Sequence, residues 1–162
     1  MMIDMQLIGK QAKAAARALR RYDTDAKNRL LLNIADALEN NRETILQANA
    51  QDIQAGEAKG MTFALLERLN LEKRMDGVIA DVRKVAELPD PVGEEFDARI
   101  LTEGLRACRR RVPLGVLGVI YESRPNVTVD VAVLALKTGN AIILRGGSET
   151  MNSNIALVDV IQ

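Results

Sequence analysis

The sequence predicts an α/β chain: a helical N-terminal segment, a β-hairpin, then the start of a doubly wound parallel sheet. Three observations predict it. Apolar residues recur at three- and four-residue steps through residues 1–88. A proline-rich breaker, "LPDPVG", is followed by two short strand-like runs. From Leu114 the chain alternates apolar β-branched run, helical pattern, apolar run, helical pattern, the order of a parallel α/β sheet. The expected organisation is a helical segment over 1–88, a proline linker and hairpin over 89–113, and the opening of the α/β domain over 114–162.

Each element has a local cause. Met5, Ile8, Ala12, Ala15 and Leu19 make an amphipathic stripe. Asp23 and Thr24 supply capping oxygens for a second helix with Leu30, Leu31, Ile34, Ala35 and Leu38 on one face. A third helix is expected from Arg42 to about Gln54, after which Gly56 and Gly60 loosen the chain. A further helix runs from about Leu71 to Glu87, with Met75, Val78, Ile79, Val82 and Val85 inward. "EEFDARILTEGLRACRRRVPLG" reads as two strands joined near Glu103 and Gly104, ended by Pro113. "LGVLGVIY" has the composition of a strand buried on both faces. "NVTVDVAVLALKTG" is too long for an ordinary strand. Asn126 or Thr128 can cap it as a helix, and Gly139 can end it. "AIILR" is the next strand, and "SETMNSNIALVDVIQ" opens the next helix.

Composition removes several function classes. Lys plus Arg and Asp plus Glu both number 22, so the chain lacks the basic excess of a dedicated nucleic-acid binder. Two tyrosines and two phenylalanines, with no tryptophan, make a poor base-stacking platform. The absence of histidine rules out histidine metal sites and histidine-based triads within this sequence, and no metal site is expected. A single cysteine, Cys108, permits no intrachain disulfide, which suits a reducing compartment. The first residues lack a signal-peptide core. The longest uncharged run, Val112 to Tyr121, is too short to span a bilayer. A cytoplasmic location without membrane contact is expected. The apolar pattern is still running at Gln162, so the sequence is expected to be the front part of a larger protein.

Two polar clusters fall where open α/β sheets bind ligands, at the carboxyl ends of strands. The first is Glu122, Ser123, Arg124 and Asn126. The second is Arg145, Gly146, Gly147, Ser148 and Glu149. Two glycines allow close backbone approach, a helix start offers N–H groups to an anion, and Arg145 adds a positive charge. That combination suits a ribose or phosphate, and it equally suits a plain turn with a helix cap. "GVLGVI" is not the G-x-G-x-x-G fingerprint, because it lacks the third glycine and lies within the strand. The basic run "RACRRR" reads as a solvated edge strand protected by charge, and Cys108 within it as a structural thiol.

"VPLGVLGVIYESRPNVTVD" followed by "LKTGNAIILRGG" resembles the gamma-glutamyl phosphate reductases (glutamate-5-semialdehyde dehydrogenases), a family of the aldehyde dehydrogenase superfamily. "ILQANAQDI" and "LERLNL" in the helical half fit as well. The resemblance covers the whole chain but only the front of the family protein. It implies an NADP-binding sheet and a hairpin of the oligomerisation type, in a homo-oligomer. It also implies NADPH-dependent reduction of L-glutamate 5-phosphate to L-glutamate 5-semialdehyde and phosphate, in proline biosynthesis. The family's nucleophilic cysteine forms a thioester with the acyl group. The resemblance places that cysteine beyond Gln162, so no catalytic nucleophile is expected in this chain. Arg145 matches the family's lysine or arginine at the adenosine ribose or its 2′-phosphate. Ser148 stands where many NAD-preferring relatives carry glutamate, which fits NADPH. Arg124 stands in place of the superfamily's oxyanion-stabilising asparagine, with Asn126 two residues on. Glu122 to Asn126 are therefore candidates for the substrate end, and Arg145 to Ser148 for the cofactor end. The alternative is a truncated, non-catalytic interaction or assembly module of the same fold.

Overall fold

The computed structural model describes residues 4–162. Five helices come first: α1 (Met5–Leu19), α2 (Thr24–Asn40), α3 (Arg42–Ala58), α4 (Phe63–Leu69) and α5 (Met75–Glu87). A hairpin follows, β1 (Glu95–Ile100) and β2 (Arg106–Arg110). Then come β3 (Val116–Ile120), α6 (Asn126–Lys137), β4 (Ala141–Arg145) and α7 (Met151–Ile161). β1 and β2 are antiparallel, whereas β3 and β4 are parallel and connected through α6. The predicted α/β architecture is the observed one.

The helices form where the stripes and caps dictate. Asp4 accepts the N–H groups of Gln6 and Leu7, and Asp23 accepts that of Ala26 at 2.8 Å. On α2 the buried residues Lys27, Leu31, Ala35 and Leu38 recur at helical spacing. Leu31, Ala35 and Leu38 pack with Met75, Val78, Ile79 and Val82 of α5 and with Val129, Val133 and Leu157 of α6 and α7 in one hydrophobic core. Both halves of the sequence therefore contribute to the same core.

Several expectations need adjusting. α3 runs past Gln54 to Ala58, because Gly56 is part of its buried face. A side chain there would meet Met61 Sδ at 2.8 Å and Leu66 at 3.0 Å, so glycine lets the chain fold back on itself. The turn comes instead at Gly60, φ +74°, and an unforeseen short helix, α4, follows. The helix expected from Leu71 begins at Met75. Neither Asn126 nor Thr128 caps α6. Pro125 holds the cap position, the Asn126 amide turns to Asp130, and the Thr128 hydroxyl is buried. Gly139 does end that helix region, at φ +72°, with Pro113 packed against it. β3 is not buried on both faces: Ile120 is 74% exposed and Val116 38%. Among the described residues only β4 pairs with it, and along β3 exposed Val116, Gly118 and Ile120 alternate with half-buried Leu117 and Val119.

Three of the four arginines in the basic run 106–111 are paired with acids of the same hairpin region. Arg106 pairs with Glu95, Arg109 with Asp97 and Arg111 with Glu94, and Arg111 also lies over the Phe96 ring. These pairs are exposed, so each contributes little to stability. No helix among the described residues is long and apolar enough to cross a membrane.

Candidate functional site

The parallel register sets the site. Val116 lies opposite Ala141 and Ile120 opposite Arg145. Tyr121 N–H donates to the Arg145 carbonyl at 3.1 Å, extending the ladder by one residue. The two polar clusters therefore leave the same edge of the sheet side by side. They also touch. Glu149 Oε1 accepts the Ser123 N–H at 2.7 Å and the Ser123 hydroxyl at 3.0 Å. Ser123 has φ +51°, a left-handed conformation that non-glycine residues rarely adopt, so these bonds hold a strained turn.

The other cluster members divide by exposure. Glu122 and Arg124 are exposed, as are Arg145 and Ser148. Among the described residues neither Arg124 nor Arg145 has an ion-pair partner. Asn126 donates from Nδ2 to Asp130 Oδ2 at 2.9 Å, while its buried Oδ1 has no partner. Burial pushes the Asp130 carboxyl up, Asp81 adds to the rise, and the Asn126 bond partly offsets it. Glu149 is moved the other way. Burial alone would raise it, but its own backbone N–H, the Ser123 N–H and hydroxyl, and Lys59 together hold it below the ordinary glutamate range.

Gly146 and Gly147 make room, though for the chain's own side chains. A Cβ on Gly146 would lie 2.1 Å from Asn154 Nδ2, and one on Gly147 2.2–2.5 Å from the Glu149 carboxylate. Behind them runs a polar chain. The hydroxyls of Tyr121 and Thr128 share a hydrogen bond (2.6 Å), and Thr128 donates to Asn154 Oδ1. Asn154 donates to Thr150 Oγ1, which donates to the Gly147 carbonyl.

The expected anion site at a helix start is already filled. A 3₁₀ turn, Ser148–Thr150, intervenes before α7. The free N–H groups of Asn152 and Ser153 then donate to Asp52 of α3, and Ser153 Oγ donates to Asp52 Oδ2 at 2.6 Å. Asn49, one turn earlier, donates from Nδ2 to the Ser153 hydroxyl and the Leu69 carbonyl and accepts the Leu71 N–H. Sequence reading missed this cross-cap. The signal was present: Ile45, Asn49, Asp52 and Gly56 share one helical stripe, and two of its members are polar. Asp52→Ala leaves buried donors unpaired and is expected to cost about 1–3 kcal/mol, measured by urea unfolding. A loss under about 0.5 kcal/mol would mean water replaces the carboxylate.

A two-stranded parallel sheet packed on this helical front, with loops clustered at the carboxyl ends of its strands, is the opening of an α/β fold, and open α/β sheets bind ligands at that end. The sequence pattern of the aldehyde dehydrogenase family matches residues 3–162, and the chain belongs to that family. It is 58% identical over 161 residues to the gamma-glutamyl phosphate reductase of Psychromonas ingrahamii, a match covering 99% of this chain and 39% of that one. The crystal structure of gamma-glutamyl phosphate reductase from Thermotoga maritima superposes with a TM-score of 0.92 at 45% identity, over 98% of this chain and 39% of that one. That of the Saccharomyces cerevisiae reductase gives 0.93 at 36% identity, over 99% and 41%. The chain thus spans about two fifths of the length of the curated relatives it matches.

Proposed function

We propose that this chain forms the front of a gamma-glutamyl phosphate reductase, which reduces L-glutamate 5-phosphate with NADPH to L-glutamate 5-semialdehyde and phosphate. The observation that carries the reading is the 58% identity to a named reductase over 99% of the chain. The division into helical segment (1–88), linker and hairpin (89–113) and α/β opening (114–162) belongs to the same reading. So does a homo-oligomer that uses the hairpin as a subunit contact.

The residues present fit the cofactor's charged end. Arg145 and Ser148 are exposed on one loop, and Arg145 has no ion-pair partner among the described residues. They would hold a 2′-phosphate by charge and hydrogen bond. The bound cofactor supplies a hydride. At the other loop Arg124 is the better candidate for the oxyanion or the substrate phosphate, because its charged guanidinium has no ion-pair partner among the described residues, whereas one of the two Asn126 amide N–H groups already bonds Asp130. Glu122 and Ser123 would flank it. The unpartnered Asn126 Oδ1 is an acceptor and would meet a donor group of the substrate.

The test is a chimera in which this chain replaces the matched residues of the Psychromonas ingrahamii reductase. Arg145→Ala in it is expected to raise KM for NADPH ten- to a hundredfold and that for NADH far less, as loss of a charged hydrogen bond of about 1.5–3 kcal/mol implies. Ser148→Glu acts in the same direction by repulsion. Both are measured at fixed salt, since screening weakens the effect. Equal losses with both cofactors would remove the 2′-phosphate assignment. A chimera that turns over simple aldehydes but not glutamyl phosphate would remove the substrate.

A further inference from the structure

We propose that Glu149 is a positioning residue that joins the two ends of the site, its carboxylate holding the loop 122–126 in place through Ser123. This deepens the reading above and rests on it for the identity of the two ends. Three features carry the inference.

The first is the contact itself. One carboxylate oxygen accepts both donors of Ser123, across 26 residues of sequence. Charge-assisted bonds of this kind are among the stronger ones in proteins. The second is the strain they oppose. Ser123 sits at φ +51°, between the exposed side chains of Glu122 and Arg124. Among the described residues no other group bonds the Ser123 N–H, so without the carboxylate the turn is free to relax toward φ below zero. Relaxation re-aims Arg124, a cationic donor in that loop with no ion-pair partner among the described residues. The third is the room made for the contact. Gly147 has φ −71°, which any residue adopts, so its backbone does not require glycine. The Glu149 carboxylate does, because it lies where a Cβ would be.

Glu149 also follows Ser148 directly. Turned back onto Ser123, its negative charge is stabilised by hydrogen bonds while the carboxylate lies against Gly147. One side chain thus ties the substrate loop to the cofactor loop.

The experiment uses the chimera and three variants. Glu149→Ala removes the carboxylate. Glu149→Gln keeps an acceptor oxygen for Ser123. Gly147→Ala leaves backbone and carboxylate chemistry intact but displaces the Glu149 side chain. Hydrogen exchange of the peptide carrying Ser123 is read first, because it needs no substrate. Exchange about tenfold faster is expected in Glu149→Ala and in Gly147→Ala, with Glu149→Gln close to the parent, as loss of one such hydrogen bond implies. Steady-state kinetics follow. Glu149→Ala and Gly147→Ala are expected to raise KM for glutamyl phosphate several-fold, with Glu149→Gln keeping the parent value. Unchanged Ser123 exchange in both disruptive variants overturns the proposal. So does a fall in Tm with KM for glutamyl phosphate unchanged, which is what a purely structural bond would give. If the parent chimera reduces no glutamyl phosphate, the functional reading fails, and the exchange measurement still decides whether Glu149 holds the loop.

Discussion

Asp90→Ala is expected to destabilise the protein by roughly 3–5 kcal/mol, the usual cost of removing one partner from a buried ion pair. The side chains of Asp90 and its partner Lys27 are 9% and 2% exposed. Asp90 also accepts the Val92 N–H at 3.0 Å and the Thr24 hydroxyl at 2.9 Å. A second buried lysine, Lys137 at the end of α6, stands within its field. Lys137 itself bonds only neutral oxygens, Asn28 Oδ1 and the Ala86 carbonyl. Burial lowers the Lys137 pKa, Asp90 counters the fall, and Lys27 adds to it. Losing Asp90 therefore strands two buried cations, whereas Lys27→Met leaves the carboxylate with Val92, Thr24 and Lys137. The first variant should cost more than the second, measured by urea unfolding at pH 7. The reverse order would show that the lysine, and not the carboxylate, is the group the fold depends on.

The pH dependence has a definite sign. Burial raises the Asp90 pKa, but Lys27, the Val92 N–H and the Thr24 hydroxyl outweigh that and leave it below the ordinary aspartate value. A depressed carboxylate stabilises fully above its unfolded pKa of about 3.9, and the contribution fades as pH falls through the folded value. Asp90→Asn should flatten the acid limb of the stability profile below about pH 4.

The knot at Asp90 also shows where sequence reading reaches its limit. Helical stripes, the cap at Asp23, the proline breaker and the strand–helix–strand order were legible because each is written in neighbouring residues. Lys27 was not. It lies on the same stripe as Leu31, Ala35 and Leu38, but a lysine there reads as the edge of a solvated face until its partner, over sixty residues away, is known. The cross-cap of Asp52 on α7 was hidden for the same reason. The site was half legible. Strand ends located both polar clusters, because a parallel pair with helical crossover puts loops at one edge. Contact between the clusters depends on register, and pairing partners four residues either way would have separated Ser123 from Glu149. β3 looked like a doubly buried strand from composition. What covers a strand is set by its neighbours, and β4 is its only partner among the described residues.

The 162 residues alone are expected to give no NADPH-dependent reduction of glutamyl phosphate and no NADP-dependent oxidation of the semialdehyde, while the chimera turns over. The chemistry proposed for the family needs a thiolate beside the acyl carbon. This chain has one thiol, Cys108, and it is exposed on β2. β2 pairs with β1 in a sheet of its own, and the candidate loops leave the edge of the other sheet. The neighbours recorded for Cys108 are Arg106, 4.0 Å from Sγ, and Glu95, both engaged in an exposed ion pair with each other. No histidine is present to act as its base. In its proposed role Arg124 stabilises an oxyanion only if another group creates one, so these loops alone are expected to give no turnover. The effect is all or none and is read in a single assay of NADPH oxidation with glutamyl phosphate generated in situ. Cys108→Ser in the chimera should leave kcat within about twofold, since surface substitutions away from buried contacts usually shift stability by no more than ±0.5 kcal/mol. Turnover by the isolated chain that disappears with Cys108→Ser would make Cys108 the nucleophile and place the reaction at the hairpin instead of the sheet edge.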